Sequence, residues 1–263
     1  MSDTTDKTAY RVEEGADLEA RRLEYLGAMF DPATTKILER IVEPGHRVLE
    51  VGVGGGSIAR WLAERTGPAG SVVATDIDLQ FAGEPPANLE LLRHDITADP
   101  LPDASFDVAH ARGVLQHLDR REAALARMVA TTKPGGWVVV EDADFWTFES
   151  QSVPEPLATV CRTLQDAYTE MSGHDRYLGR RLVPFLRGAG LVDVDADGHV
   201  FAMHGGQPSA EWYFLGIARA GPALASAGLL DEDTLATALA QARDPEFAAL
   251  SPIAVAAWGR RPA

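Results

Sequence analysis

The chain has 263 residues, and its 24 Lys and Arg against 39 Asp and Glu give a formal net charge of −15. Nucleic-acid binding draws much of its affinity from cationic contacts, so this balance argues against a polyphosphate backbone as substrate. The single cysteine excludes an internal disulfide and a multi-thiolate zinc site; no stretch approaches 18 uninterrupted apolar residues and residues 1–20 lack an apolar signal core, so a soluble, cytoplasmic protein without membrane or nucleic-acid partners is expected.

Residues 1–9 are polar. Asp17 to Leu26 and Pro32 to Val42 then read as two helices, with Leu18, Leu23, Leu26, Met29 and Phe30 as one apolar set and Ile37, Leu38 and Ile41 as another. A strand at 47–52 carries Val48, Leu49 and Val51 into glycines at 52, 54, 55 and 56, and a helix at 56–66 follows with Ile58, Leu62 and Ala63 on its buried side. Glycines there permit positive φ and leave no side chain between backbone and ligand, while the helix N-terminus offers unpaired N–H groups to negative charge. A second strand at 71–76 ends in Asp76, where a carboxylate can accept both hydroxyls of a ribose, and a third at 89–94 runs into Asp95.

Strands at 106–110 and 136–142 alternate with helices at 121–132 and between 155 and 172, a pattern that makes a parallel sheet covered on both faces. Cys161, on the amphipathic pattern of the last of these helices, reads as a small buried residue. A helix at 180–189 stops at Gly190, and residues 191–203 alternate as a sixth strand. Two helices at 208–220 and 231–242 follow, joined by a loop containing Gly221-Pro222 and Gly228. The last strand, 251–259, is expected antiparallel beside the sixth.

The spacing of the glycine loop selects among nucleoside ligands. A dinucleotide fingerprint, G-x-G-x-x-G, would need glycine where this chain has Ser57; the loop reads Glu50-x-Gly52-x-Gly54-x-Gly56 instead. A carboxylate two places before the first glycine repels a pyrophosphate and suits a ligand carrying an ammonium group, of which S-adenosylmethionine is one. Pro102-Asp-Ala-Ser-Phe106-Asp107-Val-Ala-His110 and Lys133-Pro134-Gly135-Gly136-Trp-Val-Val-Val-Glu141 follow in order. Motif by motif over roughly residues 40–145, the sequence resembles the class I S-adenosylmethionine-dependent methyltransferases.

That resemblance implies an α/β fold with a Rossmann-like, seven-stranded, mostly parallel sheet. It implies an N-terminal helical lid (1–42), a cofactor-binding core (43–203), a helical insertion bordering the acceptor pocket (204–248), and the last core strand with the C-terminus (249–263). The implied cofactor residues are Glu50, Gly52 and Gly54 in the loop, Asp76 and Ile77 at the second strand, Asp95 at the adenine amine and Ile96 on its ring. Tyr10 and Arg22 lie in a stretch resembling a recurring actinobacterial N-terminal helix and would reach the cofactor's carboxylate; the alternative is a packing Tyr and a solvent-facing Arg. Arg112 would meet the same carboxylate, or else pair with Glu141 or Asp142.

Methyl transfer from a sulfonium is an in-line displacement in which positioning supplies much of the catalysis, and a base matters only where the acceptor must lose a proton. His110, His117 and His204 are the candidate bases, alongside Glu141, Asp142, Asp144 and His199; in the family the residue matching His117 structures its loop. No metal is expected. Phe145 and Trp146, with Phe148, and Trp212 and Tyr213 in the insertion are candidate contacts to a flat apolar acceptor, or packing residues. The expected protein is a methyltransferase acting on a small aromatic or apolar natural product, the alternative being a cofactor-binding protein with a cyclase-like or regulatory role. The oligomeric state stays open.

Overall fold

The structure is a computed structural model that describes the backbone of residues 4–150 and 153–263 and the side chains of residues 15–150 and 153–263. The elements in order are α1 (Thr4–Leu38), β1 (Arg47–Val51), α2 (Ser57–Thr66), β2 (Ser71–Asp76), β3 (Leu89–Arg93), β4 (Phe106–Arg112), α3 (Arg121–Thr131), β5 (Thr132–Asp144), α4 (Trp146–Glu149), α5 (Leu157–Ser172), α6 (Leu182–Gly188), β6 (Val192–His199), β7 (Ala202–His204), α7 (Pro208–Ser226), α8 (Glu232–Arg243), β8 (Ala248–Leu250) and β9 (Ile253–Arg260). They form two compact units: residues 30–147, 168–200 and 252–263 make one, and residues 1–29, 148–167 and 201–251 the other.

The first unit holds a seven-stranded sheet in the order β3-β2-β1-β4-β5-β9-β6. β1 to β5 pair in parallel, and β9 inserts antiparallel between β5 and β6. Residues alternate between faces along a strand, so neighbours in β1 serve opposite cores. Val48 packs with Ile37, Leu38, Ile58, Leu62 and Trp258 on one side. Leu49 and Val51 pack with Leu115, Leu125, Met128, Leu182 and Leu186 on the other. The Rossmann-like α/β class expected from the sequence is the one observed.

The second unit includes α7, α8 and the β7–β8 ribbon, and it also draws in residues 148–167. Leu157, Val160, Cys161 and Leu164 are buried in it, as are Tyr213, Phe214, Ile217 and Leu235. Phe148 meets Tyr213 edge-on at 5.4 Å and Phe214 meets Phe247 at 5.6 Å. Burial pushes the Cys161 thiol up to about 12, so this cysteine packs rather than reacts.

Three local expectations give way to tertiary contacts. The two N-terminal helices are one, because α1 continues through Pro32. Proline inside a helix costs about 3 kcal/mol; burial of Ile37 and Leu38 on the turns beyond it offsets that at roughly 1.5–3 kcal/mol per side chain. The long sixth strand divides into β6 and β7, which join different sheets. Gly221-Pro222 lies inside α7 rather than in a loop.

Gly221 has a packing reason to be glycine. A Cβ there would stand 2.6 Å from Leu235 Cδ2 on α8. Gly221→Val is expected to lower stability by about 1–3 kcal/mol, the usual cost of overpacking. Leu235→Ala in the same chain should restore part of it, as read from the thermal midpoints of the two single variants and the double.

Candidate cofactor cleft and buried ion network

The carboxyl ends of β1 to β4 converge on the glycine loop, the edge at which open α/β sheets bind ligands. Gly52, Gly54 and Gly56 have φ of 80°, 48° and 74°, all left-handed. The N–H groups of Gly52 and Val53 donate to Thr75 O at 2.8 and 3.0 Å, tying the turn to β2. Arg60, which sequence reasoning passed over, clamps the loop from α2: its guanidinium donates to Gly55 O and Ala82 O, each at 2.7 Å. A Cβ at Gly52 would fall 2.2 Å from Val114 Cγ2, and one at Gly56 2.6 Å from Ala82 O.

Asp76 closes the loop from the end of β2. Its Oδ2 accepts from Gly54 N at 3.0 Å and its Oδ1 from Asp78 N at 3.1 Å. Each carboxylate oxygen retains a lone pair for a hydroxyl. Beside it Ile77 is 67% exposed, the most exposed large apolar side chain of this edge. Asp95 Oδ1 accepts from both the N–H and the hydroxyl of Thr97, at 2.8 and 2.7 Å, and these bonds hold its carboxyl below the usual range. An ionised carboxylate is what an exocyclic amine needs as its acceptor. Ile96 is buried next to it.

Behind the loop lies a chain of buried charges. Glu50 of β1 and His110 of β4 are register partners, and Glu141 is on the neighbouring strand β5. His110 Nδ1 is 2.5 Å from Glu50 Oε2, and its Nε2 is 2.9 Å from Glu141 Oε1. Burial opposes charging this wholly enclosed ring; the two carboxylates outweigh burial and raise its pKa to about 9. At neutral pH His110 is therefore an imidazolium that donates from both nitrogens. A general base needs a free nitrogen, so the geometry assigns this histidine a holding role in place of the expected proton-accepting one.

The chain continues to α1. Glu141 Oε2 accepts from the Thr34 hydroxyl at 3.0 Å, and Thr34 Oγ1 accepts from Arg112 at 3.0 Å. Arg112 also pairs with Asp31 at 2.8 Å. This partner was not among the expected ones, Glu141 and Asp142, because Asp31 is 81 positions away in the chain. Asp142 is buried on the opposite face of β5, where burial first and the Glu141 charge after it raise its pKa to about 8. Asp144 takes both bonds of a bidentate pair with Arg180, at 2.6 and 2.8 Å.

The remaining candidates fall elsewhere. His117 stacks on His174 with ring centroids 4.7 Å apart and Nδ1 atoms 3.1 Å apart, and burial followed by Arg176 and Arg121 pushes His174 down to about 4. His204 is exposed on β7, in the other unit. Trp212 and Tyr213 are buried in that unit's core rather than offered to a ligand; Trp212 Nε1 donates to Ser209 O, and burial raises the Tyr213 hydroxyl well above its usual value. Arg22 forks onto Glu19 at 2.9 and 2.6 Å, and Arg219 reaches the same carboxylate at 3.1 Å. The side chain of Tyr10 lies outside the described residues. Phe145 is buried edge-on to His174, while Trp146 is 56% exposed under the Arg180 guanidinium. Among the described residues no three His, Cys, Asp or Glu side chains gather as a metal site, and no helix is long and apolar enough to cross a membrane.

Part of the chain resembles known proteins. Residues 49–140 match the methyltransferase domain family. Over 106 residues, 38% of this chain and 44% of the relative, the sequence is 36% identical to the ubiquinone/menaquinone biosynthesis C-methyltransferase UbiE of Cupriavidus taiwanensis. It is 35% identical over 100 residues to methyltransferase str3 of Strobilurus tenacellus, covering 38% of this chain and 36% of that protein. The chain thus spans less than half the length of these relatives. The fold resembles phosphoethanolamine N-methyltransferase 2 of Haemonchus contortus, solved with phosphomonomethylethanolamine and S-adenosylhomocysteine, with a TM-score of 0.58 at 15% identity over 92% of this chain and 57% of that one. The glycine cradle, the ionised Asp95 and the Asp76 carboxylate fit the adenosyl group and ribose of S-adenosylmethionine, and residues 49–140 match a methyltransferase domain.

Proposed function

We propose that this protein transfers the methyl group of S-adenosylmethionine to a small-molecule acceptor. The observation that carries the reading is the joining of Gly54 to Asp76 across β1 and β2, with Asp95 and Ile77 on the same sheet edge. Asp76 orients the ribose, Asp95 and Ile96 hold the adenine, and Glu50 positions the amino-acid end. Arg112 reaches that end's carboxylate by exchanging Asp31. The bound cofactor supplies an electrophilic methyl on a sulfonium, a good leaving group, so aligning the acceptor about 3 Å away supplies most of the rest.

An acidic chain and the exposed Trp146 favour a small apolar or aromatic molecule over a nucleic acid. A natural product of specialised metabolism fits this reading. No side chain of the cleft needs to act as base for an acceptor that is already nucleophilic, and His110 in particular holds its proton. The test is calorimetric titration with S-adenosylmethionine and S-adenosylhomocysteine, followed by product release across a panel of aromatic acceptors. Asp76→Ala should weaken cofactor binding about 10- to 100-fold, the worth of one or two hydrogen bonds to a charged group. Unchanged affinity would remove the ribose assignment, and binding without turnover on any acceptor would favour a cyclase-like or regulatory role.

A further inference from the structure

The described residues of the sheet unit line a partly open cavity of about 330 Å³ between residues 30–37 of α1 and strands β5, β6 and β9. Phe30, Ile37 and Ala254 give it an apolar wall, while Glu141, Asp197 and His199 give it polar groups. Its size is at the low end of small-molecule pockets, and it suits a compact ligand. Glu141 is the buried member of the polar set. Its two oxygens each carry one bond, from His110 and from Thr34, so each can accept another.

Charge balance indicates what that ligand carries. In the cofactor-free chain Glu50, His110 and Glu141 sum to one net negative charge in a buried position. Arg112 approaches through Thr34 but is itself neutralised by Asp31. An uncompensated buried charge is costly, and a cation that meets the buried Glu141 carboxylate gains more than one meeting a carboxylate in water. Asp197, on β6, adds a second carboxylate. Asp197 and Lys36 are both exposed at this site, so solvent screens both charges and the buried Glu141 sets the preference.

We infer that this cavity binds a small primary amine with a compact apolar body, its ammonium group on Glu141 and Asp197 and its body against Phe30 and Ile37. A protonated amine has no lone pair to attack a methyl group. The ammonium is therefore an anchor, and the methylated atom lies elsewhere on the molecule. Its role as acceptor rests on the methyl-transfer reading, whereas the binding does not.

The experiment is calorimetry with 2-phenylethylamine and with 2-phenylethanol, its uncharged counterpart, on the full chain, with and without saturating S-adenosylhomocysteine. The amine is expected to bind at least about tenfold more tightly than the alcohol, a difference of roughly 1.4 kcal/mol. Asp197→Asn should weaken the amine several-fold, and Ala254→Leu, which fills the cavity from β9, should abolish its binding. Thermal midpoints of both variants show that they fold. Equal affinity for amine and alcohol, no amine binding to the parent chain, or amine binding that survives a folded Ala254→Leu would each overturn the inference. S-adenosylhomocysteine binding in the same titrations tests the cofactor reading independently, so the two can fail separately.

Discussion

Alanine at position 52 is expected to weaken S-adenosylmethionine binding by about 100-fold or more, the equivalent of roughly 3 kcal/mol. Two effects add. Gly52 has φ 80°, a left-handed conformation that costs a residue with a Cβ about 1–2 kcal/mol. The new Cβ would also stand 2.2 Å from Val114 Cγ2. Valine is stiff at χ1, so relief requires the backbone after β4 to move, or the loop itself. Either motion displaces N–H groups that are bonded to Thr75 O, and with them the turn that shapes the cleft. Gly45→Ala separates the two effects. Gly45 has φ 86° with nothing within 4 Å of its would-be Cβ, so that variant should lose about 1–2 kcal/mol of stability and no cofactor affinity. Equal affinity losses in both variants, measured by calorimetry, would show that strain alone governs and that the cradle at Gly52 plays no part.

The second large effect is a loss of stability at alkaline pH. His110 has its folded-state pKa raised from 6.5 to about 9, so the folded chain holds a proton that the unfolded chain releases near 6.5. The stabilisation is complete below that unfolded value, declines as pH rises and is gone above about 9. The shift corresponds to something on the order of 3 kcal/mol. Beyond pH 9 two buried carboxylates face a neutral ring, and the link from β1 through β4 to β5 loses its central cation. Thermal midpoints between pH 6 and 10 should fall across this window in the parent chain. In His110→Gln they should be lower throughout, because removing one partner of a buried ion pair strands the other at a cost of about 3–5 kcal/mol, and they should fall less steeply, keeping only the part below about pH 8 that the buried Asp142 contributes in both chains. Joint replacement of Glu50, His110 and Glu141 by glutamine should recover part of that loss. An equally steep fall in His110→Gln would place the titration elsewhere.

This network changes how the cleft is understood. Glu50 and His110 each suggested chemistry when taken singly, one toward an ammonium group and the other as a base. Their meeting converts the histidine into a fixed charge that sets the direction of Glu50. If Glu50 meets the cofactor as proposed, cofactor affinity and the protonation of His110 are linked through one carboxylate. Positioning, more than proton transfer, is the contribution these side chains can make to methyl transfer.

The legible part of the protein was local. A strand running into glycines at positive φ, a carboxylate ending the next strand, and another following the third are defined by neighbours within a few residues, so Gly52, Gly54, Asp76 and Asp95 and the alternation of α and β could be read in one dimension. Helix ends at Pro32 and Gly221-Pro222 were misread because propensity at a breaker is worth only a few kcal/mol, which burial of Ile37 and Leu38 or packing against Leu235 exceeds. The sequence left Trp212 and Tyr213 open between ligand contact and packing, and gave no sign that Tyr213 meets Phe148 and Gln165.

The amino-acid sequence by itself determined the fold class and the glycine turn after β1, because both depend on periodicity and spacing within short windows. Only the tertiary structure decided which charges meet: Asp31 with Arg112, Glu50 and Glu141 with His110, and the carboxylates that line one cavity. Those pairings depend on strand order and register, and they arise when residues far apart in the chain are desolvated together, so that each charge must find its partner.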